Sequence, residues 1–301
     1  MERQADPGRA IAFVGLGNMG LPMALRLAAA GHTLTGYDVS DAVRDAAVAS
    51  GLDVATSLRD AARDSAIAIL MLPSSDVVDD VVLAQGLADA LPSGALVVDM
   101  SSSDPLRTRA LATVLAERGL RLVDAPVSGG VVGAVEGRLT IMLGGAEADA
   151  AEIEPLLAEL GSSRRTGAVG SGHAVKALNN LLSATHLLVS SEAIEAGRRF
   201  GLADDVMLDV INSSSGRSFS TEYKWPVFVV PETFDSGFGL RLLVKDARTA
   251  TTLARALGLP SRLGEAALAL WEQAAQELPA DADHTEIAKF AAVPDEDEAS
   301  A

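Results

Sequence analysis

The run His173-Ala-Val-Lys176-Ala-Leu-Asn-Asn180-Leu-Leu-Ser183 sets polar residues among small and apolar ones. His173, Lys176, Asn180 and Ser183 are spaced i, i+3, i+7 and i+10, so on a helix they line one face. A polar stripe on an apolar helix faces a cavity, a partner or water. In a cavity, a desolvated lysine has its pKa lowered and becomes a usable proton donor and acceptor. On a half-exposed helix the same lysine reaches out to water, and periodicity alone does not separate the two readings.

A second constellation suits a phosphate. Gly15-Leu16-Gly17-Asn18-Met19-Gly20 follows a strand-like run and opens a helical one. In G-x-G-x-x-G the first glycine permits a tight turn, the second lets backbone approach a pyrophosphate, and the third lets helix and strand pack closely. Amides at the helix start then face the anion. Asp38 stands 18 residues after Gly20, where a carboxylate can accept hydrogen bonds from an adenosine ribose. Its charge repels a 2′-phosphate, so NAD is favoured over NADP. A third run, Asp124-Ala-Pro-Val-Ser128-Gly129-Gly130, leaves backbone amides exposed after a serine. Such a nest can hold a carboxylate; on the residues alone, a plain glycine-rich turn is the simpler account.

The elements that must position these groups follow from the same sequence. Runs at 10–14, 33–37, 66–71, 95–98 and 121–123 read as strands. They are apolar without strict alternation, as in a parallel sheet covered on both faces. Helical patterns occupy 19–30, 41–50, 76–83 and 105–118, the last opened by Ser103, Asp104 and Pro105. A further β-type run spans 139–143. This alternation predicts an α/β fold with an N-terminal Rossmann-type doubly wound sheet over 9–170. From about Gly170 strand signals vanish. Residues 173–200 have no proline and only Gly197 as a break, predicting one long helix that opens an all-helical C-terminal domain over 171–293. Residues 294–301 form a short acidic tail.

Composition removes several functions. The 301 residues carry 24 basic and 41 acidic side chains, a net charge of −17, which argues against general binding of nucleic acid or anionic membrane. The absence of cysteine removes thiolate chemistry, and the four histidines are too dispersed for a local metal motif. No apolar run reaches the roughly 18 residues of a membrane span. The first ten residues carry no apolar run of signal-peptide length, which predicts a cytoplasmic protein.

Together these motifs resemble the β-hydroxyacid dehydrogenase family, which includes 3-hydroxyisobutyrate dehydrogenase. The cofactor motif with Pro22-Met23-Ala24 behind it matches the family's opening. Asp124–Gly130, continuing to Ala134, Gly137, Leu139 and Gly144-Gly145, matches its substrate-binding segment. Gly170-Ser-Gly172-His-Ala-Val-Lys176-Ala-Leu-Asn-Asn180 matches its catalytic segment, and Lys245-Asp246 its C-terminal motif. Asp99-Met-Ser-Ser102 resembles the segment beside the nicotinamide, with Ser102 in place of the usual threonine.

The resemblance implies that Lys176 is the catalytic acid/base and that Ser128, Gly129, Gly130 and Asn180 bind a small carboxylate substrate. It implies that Leu72 and Pro73 pack along NAD, joined by Ser102, Lys245 and Phe238, with no metal. It also implies a cleft between the two domains and a homodimer or homotetramer assembled through the helical domain. The implied reaction oxidises a short 3-hydroxy acid such as 3-hydroxyisobutyrate. Reduction of tartronate semialdehyde, oxidation of threonate or serine, and imine reduction are the alternatives. Arg26 and His173 depart from the usual asparagine and glutamine, and a protonated His173 would depress the pKa of Lys176. Arg217, in Ser214-Ser-Gly-Arg217-Ser, either meets a second anionic group or sits on the surface.

Overall fold

The computed structural model describes residues 9–292, so the acidic tail lies outside the described residues. The chain divides into two compact units, with the boundary between Lys176 and Ala177. The first unit opens with β1 (Ile11–Val14), α1 (Gly20–Ala29), β2 (Leu34–Tyr37), α2 (Asp41–Ala49), α3 (Leu58–Ala62) and β3 (Ile67–Leu70). It continues through α4 (Ser75–Asp79), α5 (Leu87–Ala90), β4 (Leu96–Asp99), α6 (Pro105–Glu117) and β5 (Arg121–Asp124). After these come β6 (Val127–Ser128), α7 (Gly130–Glu136), β7 (Leu139–Gly144), α8 (Glu147–Leu157) and β8 (Gly161–Gly167). All eight strands form one sheet in the order β2-β1-β3-β4-β5-β7-β6, with β8 pairing to β7. The first five run parallel.

Burial explains the non-alternating strands. Ile11, Phe13, Ile67, Ile69, Leu96 and Val98 point into one core. Ala12, Val14, Ala68, Leu70 and Val97 point into another on the opposite face. β1 and β3 are therefore apolar at every position, because both faces are roofed by helices. Polar starts fix those helices: Ser40 accepts from the Val43 amide to cap α2, and Asp104 accepts from Leu106 and Arg107 to cap α6.

The structure adds what the hydrophobic pattern could not show. Residues Gly161–Gly167 read GSSRRTG and still form a strand, whose side chains are half-buried or exposed. β8 is held by its backbone ladder to β7, so no burial pattern marks it. β6 is two residues long, and the sequence pattern predicts no helix over α8 either. The helix expected over 76–83 becomes α4 followed by a π-helical stretch, Asp80–Ala84.

Helix α9 (Ser171–Phe200) begins in the first unit and runs unbroken into the second. Gly197 does not break it. A Cβ there would stand 2.1 Å from the Met207 sulfur, so the glycine admits a close neighbour. The second unit contains α10 (Asp204–Asn212), a π-helical segment Ser220–Val229, α11 (Leu240–Ala256), α12 (Arg262–Glu277) and α13 (Ile287–Ala291). Leu187, Ile194, Trp225, Leu243, Trp271 and Ile287 lie in its core. Trp271 donates its indole N–H to the Ala184 carbonyl at 3.2 Å. Among the described residues, no helix is long and apolar enough to cross a membrane.

Candidate active site

Strand register brings the predicted cofactor residues of the first unit to one edge. Val14 pairs with Tyr37 and Leu70, Leu70 with Asp99, and Asp99 with Asp124. These residues form one row across five strands, and the next residues in each chain begin the loops at the carboxyl edge. Open α/β sheets bind ligands there, at the point where strand order reverses. That point lies between β1 and β3, beside the glycine motif.

The three glycines do different work. Gly15 has a φ of +96°, and a Cβ on it would meet the Met71 carbonyl oxygen at 2.3 Å. A Cβ on Gly20 would stand 1.8 Å from the Gly15 oxygen. Gly17 is exposed and a Cβ on it would meet nothing within 4 Å, so backbone there is open to an approaching group. No side chain caps the start of α1 and no acidic residue lies in its first turn, leaving the end attractive to an anion. Leu16 is buried and donates its amide to Asp38 Oδ2 at 2.9 Å, while Ser40 donates to Oδ1 at 2.9 Å. The carboxylate is thereby aimed at the edge of β2 with lone pairs to spare. NAD fits this set of groups: a cradle with room at Gly17, uncapped amides, and a carboxylate for the ribose.

The loops after β3 and β4 are tied together. Leu72 donates its amide to Ser101 Oγ at 2.9 Å, next to the exposed Pro73. The buried Asp99 accepts from the Ser101 amide at 3.0 Å and the Ser103 hydroxyl at 2.8 Å, which fixes the half-buried Ser102 between them. Asp124, at the end of β5, is fully buried. Its two oxygens accept from the Gly170 amide at 2.6 Å and the His173 amide at 2.8 Å, capping α9 from outside the helix. His173 is spent on the same framework: Nδ1 meets Thr108 Oγ1 at 2.8 Å and Nε2 meets the Ser101 carbonyl at 3.0 Å. It holds the start of α9 against the β4 loop.

That anchoring sets Lys176. The lysine is 8% exposed, and Nζ donates to Ser128 Oγ at 3.0 Å. The water-reaching alternative thus gives way to a buried Nζ facing the serine of the third motif. Gly129 and Gly130 follow with φ of +129° and +63°, and both are exposed. Arg26, which departs from the family pattern, donates to the Glu159 and Val135 carbonyls and so ties α7 to the turn between α8 and β8.

In the second unit, the buried Asn180 donates Nδ2 to Asp246 Oδ2 at 2.6 Å, and Lys245 Nζ lies 3.3 Å from Asp246 Oδ1. The Lys-Asp motif therefore orients the amide one turn beyond Lys176 on α9. Ser183, the last residue of the stripe, accepts from Lys224 Nζ at 2.8 Å. Lys224 is buried, and burial pushes its pKa down to about 8 against the attraction of Asp283. Phe238 is half-buried against the core, edge-on to His284 with ring centres 5.6 Å apart. Arg217 is exposed and pairs with Glu222 at 3.5 Å, which favours its surface reading. Sequence reasoning passed over Asp124 as a cap, Asp246 as the anchor of Asn180, and Lys224 altogether. Only Asp246 carried a signal, its neighbour Lys245.

A parallel sheet with a glycine-lined cradle and a buried lysine facing a serine define a dinucleotide-dependent oxidoreductase. Residues 10–194 match the NAD binding domain of 6-phosphogluconate dehydrogenase. Residues 170–291 match the family described as NAD-binding of NADP-dependent 3-hydroxyisobutyrate dehydrogenase. The 2-(hydroxymethyl)glutarate dehydrogenase of Eubacterium barkeri is 37% identical over 285 residues, 87% of this chain and 95% of that one. The NAD-dependent L-serine dehydrogenase of Pseudomonas aeruginosa is 34% identical, over 93% and 97% of the two chains. Among solved structures, Mycobacterium tuberculosis 3-hydroxyisobutyrate dehydrogenase with L-serine superposes with a TM-score of 0.89 at 30% identity, over 94% and 98% of the chains. The chain belongs to the β-hydroxyacid dehydrogenase family. It is an NAD-dependent oxidoreductase acting on a CH–OH group.

Proposed function

We propose that the protein oxidises the alcohol of a short 3-hydroxy carboxylic acid of the 3-hydroxyisobutyrate type, with Lys176 as general acid/base. The observation that carries this reading is the buried Lys176 amino group, with Nζ 3.0 Å from Ser128 Oγ; the neutral amine is the form that accepts the substrate proton. NAD bound at the β1 cradle supplies the hydride acceptor. Leu16, Asn18 and Met19 line that cradle with the three glycines, while Asp38 receives the ribose. Leu72, Pro73, Ser102, Lys245 and Phe238 complete the cofactor set implied by the family motifs.

The chain's own groups do the rest. The backbone amides of the exposed Gly129 and Gly130, with the Ser128 hydroxyl, receive the substrate carboxylate. Asn180, held by Asp246, orients the reacting oxygen. Lys176 Nζ takes the hydroxyl proton in the oxidative direction and returns it in the reductive one, so positioning and proton transfer supply the rate. The first unit binds NAD, and the helical second unit carries substrate contacts and the assembly of a homodimer or homotetramer. Serine oxidation is the second reading, favoured by the same nest and the same lysine.

The test is turnover of Lys176→Ala on a panel of short 3-hydroxy acids, read as NADH absorbance. A loss of about 10²–10⁴-fold in kcat with NADH binding retained is the expected result. Near-normal turnover would remove Lys176 from the chemistry.

A further inference from the structure

We propose that His173 is a positioning residue that carries both ring protons and, as a buried cation one helical turn before Lys176, favours the neutral, proton-accepting form of that lysine. This rests on the reading above that Lys176 transfers the substrate proton. All the groups concerned lie in the first unit. Their hydrogen bonds fix the two protons. Nε2 of His173 meets the Ser101 carbonyl at 3.0 Å; a carbonyl only accepts, so Nε2 carries a proton. Nδ1 meets Thr108 Oγ1 at 2.8 Å. That hydroxyl has one proton, and it goes to the Asp104 carbonyl one turn back, at 2.9 Å. Turning the proton toward Nδ1 would leave two oxygen lone pairs facing each other at that distance. Thr108 therefore accepts, and Nδ1 carries the second proton.

The surroundings suit a cation. The ring is fully buried, with Nε2 3.8 Å from Asp99 Oδ2 and Nδ1 3.8 Å from Asp124 Oδ2. All four oxygens of Asp99 and Asp124 accept hydrogen bonds, from three backbone amides and the Ser103 hydroxyl, as ionised acids do. Buried charges are tolerated when they are paired, and here each sign supports the other. The other charged groups around the ring are Lys176 on its own helix and Arg109 of α6, which donates to the Val169 carbonyl at 3.3 Å. Lys176 is three residues on, about 4.5 Å along the axis, and a like charge so near disfavours its ammonium. Without the ring's charge, Asp99 and Asp124 would favour the ammonium instead. Because the ring also ties the loop after β4 to the start of α9, one residue sets both the placement and the protonation of Lys176.

Two measurements test this. Nitrogen NMR at pH 7, with the His173 signals identified by difference against His173→Gln or Thr108→Val, is expected to show both ring nitrogens protonated. One bare nitrogen would overturn the proposal, even where no acid of the panel turns over. The second is the pH profile of kcat/KM with NAD and 3-hydroxyisobutyrate or L-serine, whichever is oxidised faster. Its acid limb should move upward by roughly one pH unit in His173→Gln. Thr108→Val removes the acceptor at Nδ1 and keeps the ring, so it carries the same test where His173→Gln does not fold. It should move the limb the same way, and the double variant should move it no further. Thr108→Ser, which keeps the hydroxyl, should leave the limb at its wild-type position, which loss of packing would not. A limb that stays put or moves down in Thr108→Val would overturn the proposal. Near-normal turnover by Lys176→Ala would instead break the reading it rests on, whatever the ring nitrogens show.

Discussion

Replacing Lys224 with methionine should make the second unit more stable. Burial lowers the lysine from 10.5 to about 8, and at 1.36 kcal/mol per pH unit this is about 3 kcal/mol of unfavourable burial of the charged form. Methionine fills a similar length of core without a charge. Losing the bond to Ser183 gives back about 1 kcal/mol, so a net gain of about 2 kcal/mol is expected at pH 7. The two tryptophans, Trp225 and Trp271, both lie in that core. Urea unfolding followed by their fluorescence, at fixed protein concentration, therefore reports the relevant transition. The pH dependence carries the stronger signature. Between about 8 and 10.5 the unfolded lysine keeps a proton that the folded one has released, so wild-type stability rises with pH. The gap to the variant should close over that interval. A wild type more stable than the variant at pH 7, with a gap independent of pH, would show that the buried ammonium is not penalised.

The glycine cradle separates fold from binding. Gly20→Ala, whose Cβ would stand 1.8 Å from the Gly15 oxygen, should destabilise the first unit by about 1–3 kcal/mol or more in thermal unfolding. Gly17→Ala, with open space around it, should unfold like wild type while NADH binding by fluorescence weakens roughly tenfold. Asp38→Asn with Val39→Arg, the latter at a side chain 79% exposed, should raise the NADP-to-NAD ratio of kcat/KM about tenfold; no shift would place cofactor choice elsewhere. Burial pushes the Asp283 carboxyl up, but bonds from His284, Thr285 and Ser236 prevail and hold it far below 3.8. Its contribution is present at neutral pH and lost as pH falls well below that value. Asp283→Asn should cost about 1–3 kcal/mol at pH 7 in urea unfolding, with the deficit shrinking in acid.

What could be read from the sequence depended on how local each determinant is. The cradle at Gly15–Gly20 is written in six consecutive residues, and the strands around it are apolar because both faces are covered. The stripe on α9 was legible from its spacing, since a helix converts sequence distance directly into a shared face. β8 was not legible, because its hydrogen bonds to β7 carry no side-chain signature. Asp124 reads as the end of a strand until Gly170 and His173, 46 and 49 residues away, donate to it. Lys224 is likewise an ordinary lysine in the chain. Its setting comes from Ser183, 41 residues earlier, and from Asp283 in the loop before α13.

The level row of strand ends has a consequence for how such a protein diversifies. Val14, Tyr37, Leu70, Asp99 and Asp124 are in register, so each loop leaves a common shelf that none of them builds. Cofactor preference, proposed above for the loop after β2, and acid recognition, proposed for the loop after β5, would then drift without a compensating change in the other. The sheet behaves as a backplane whose neighbouring sockets are wired in pairs, after β1 and β2 through Leu16 and Asp38 and after β3 and β4 through Leu72 and Ser101, so a lineage or a designer exchanges them pair by pair.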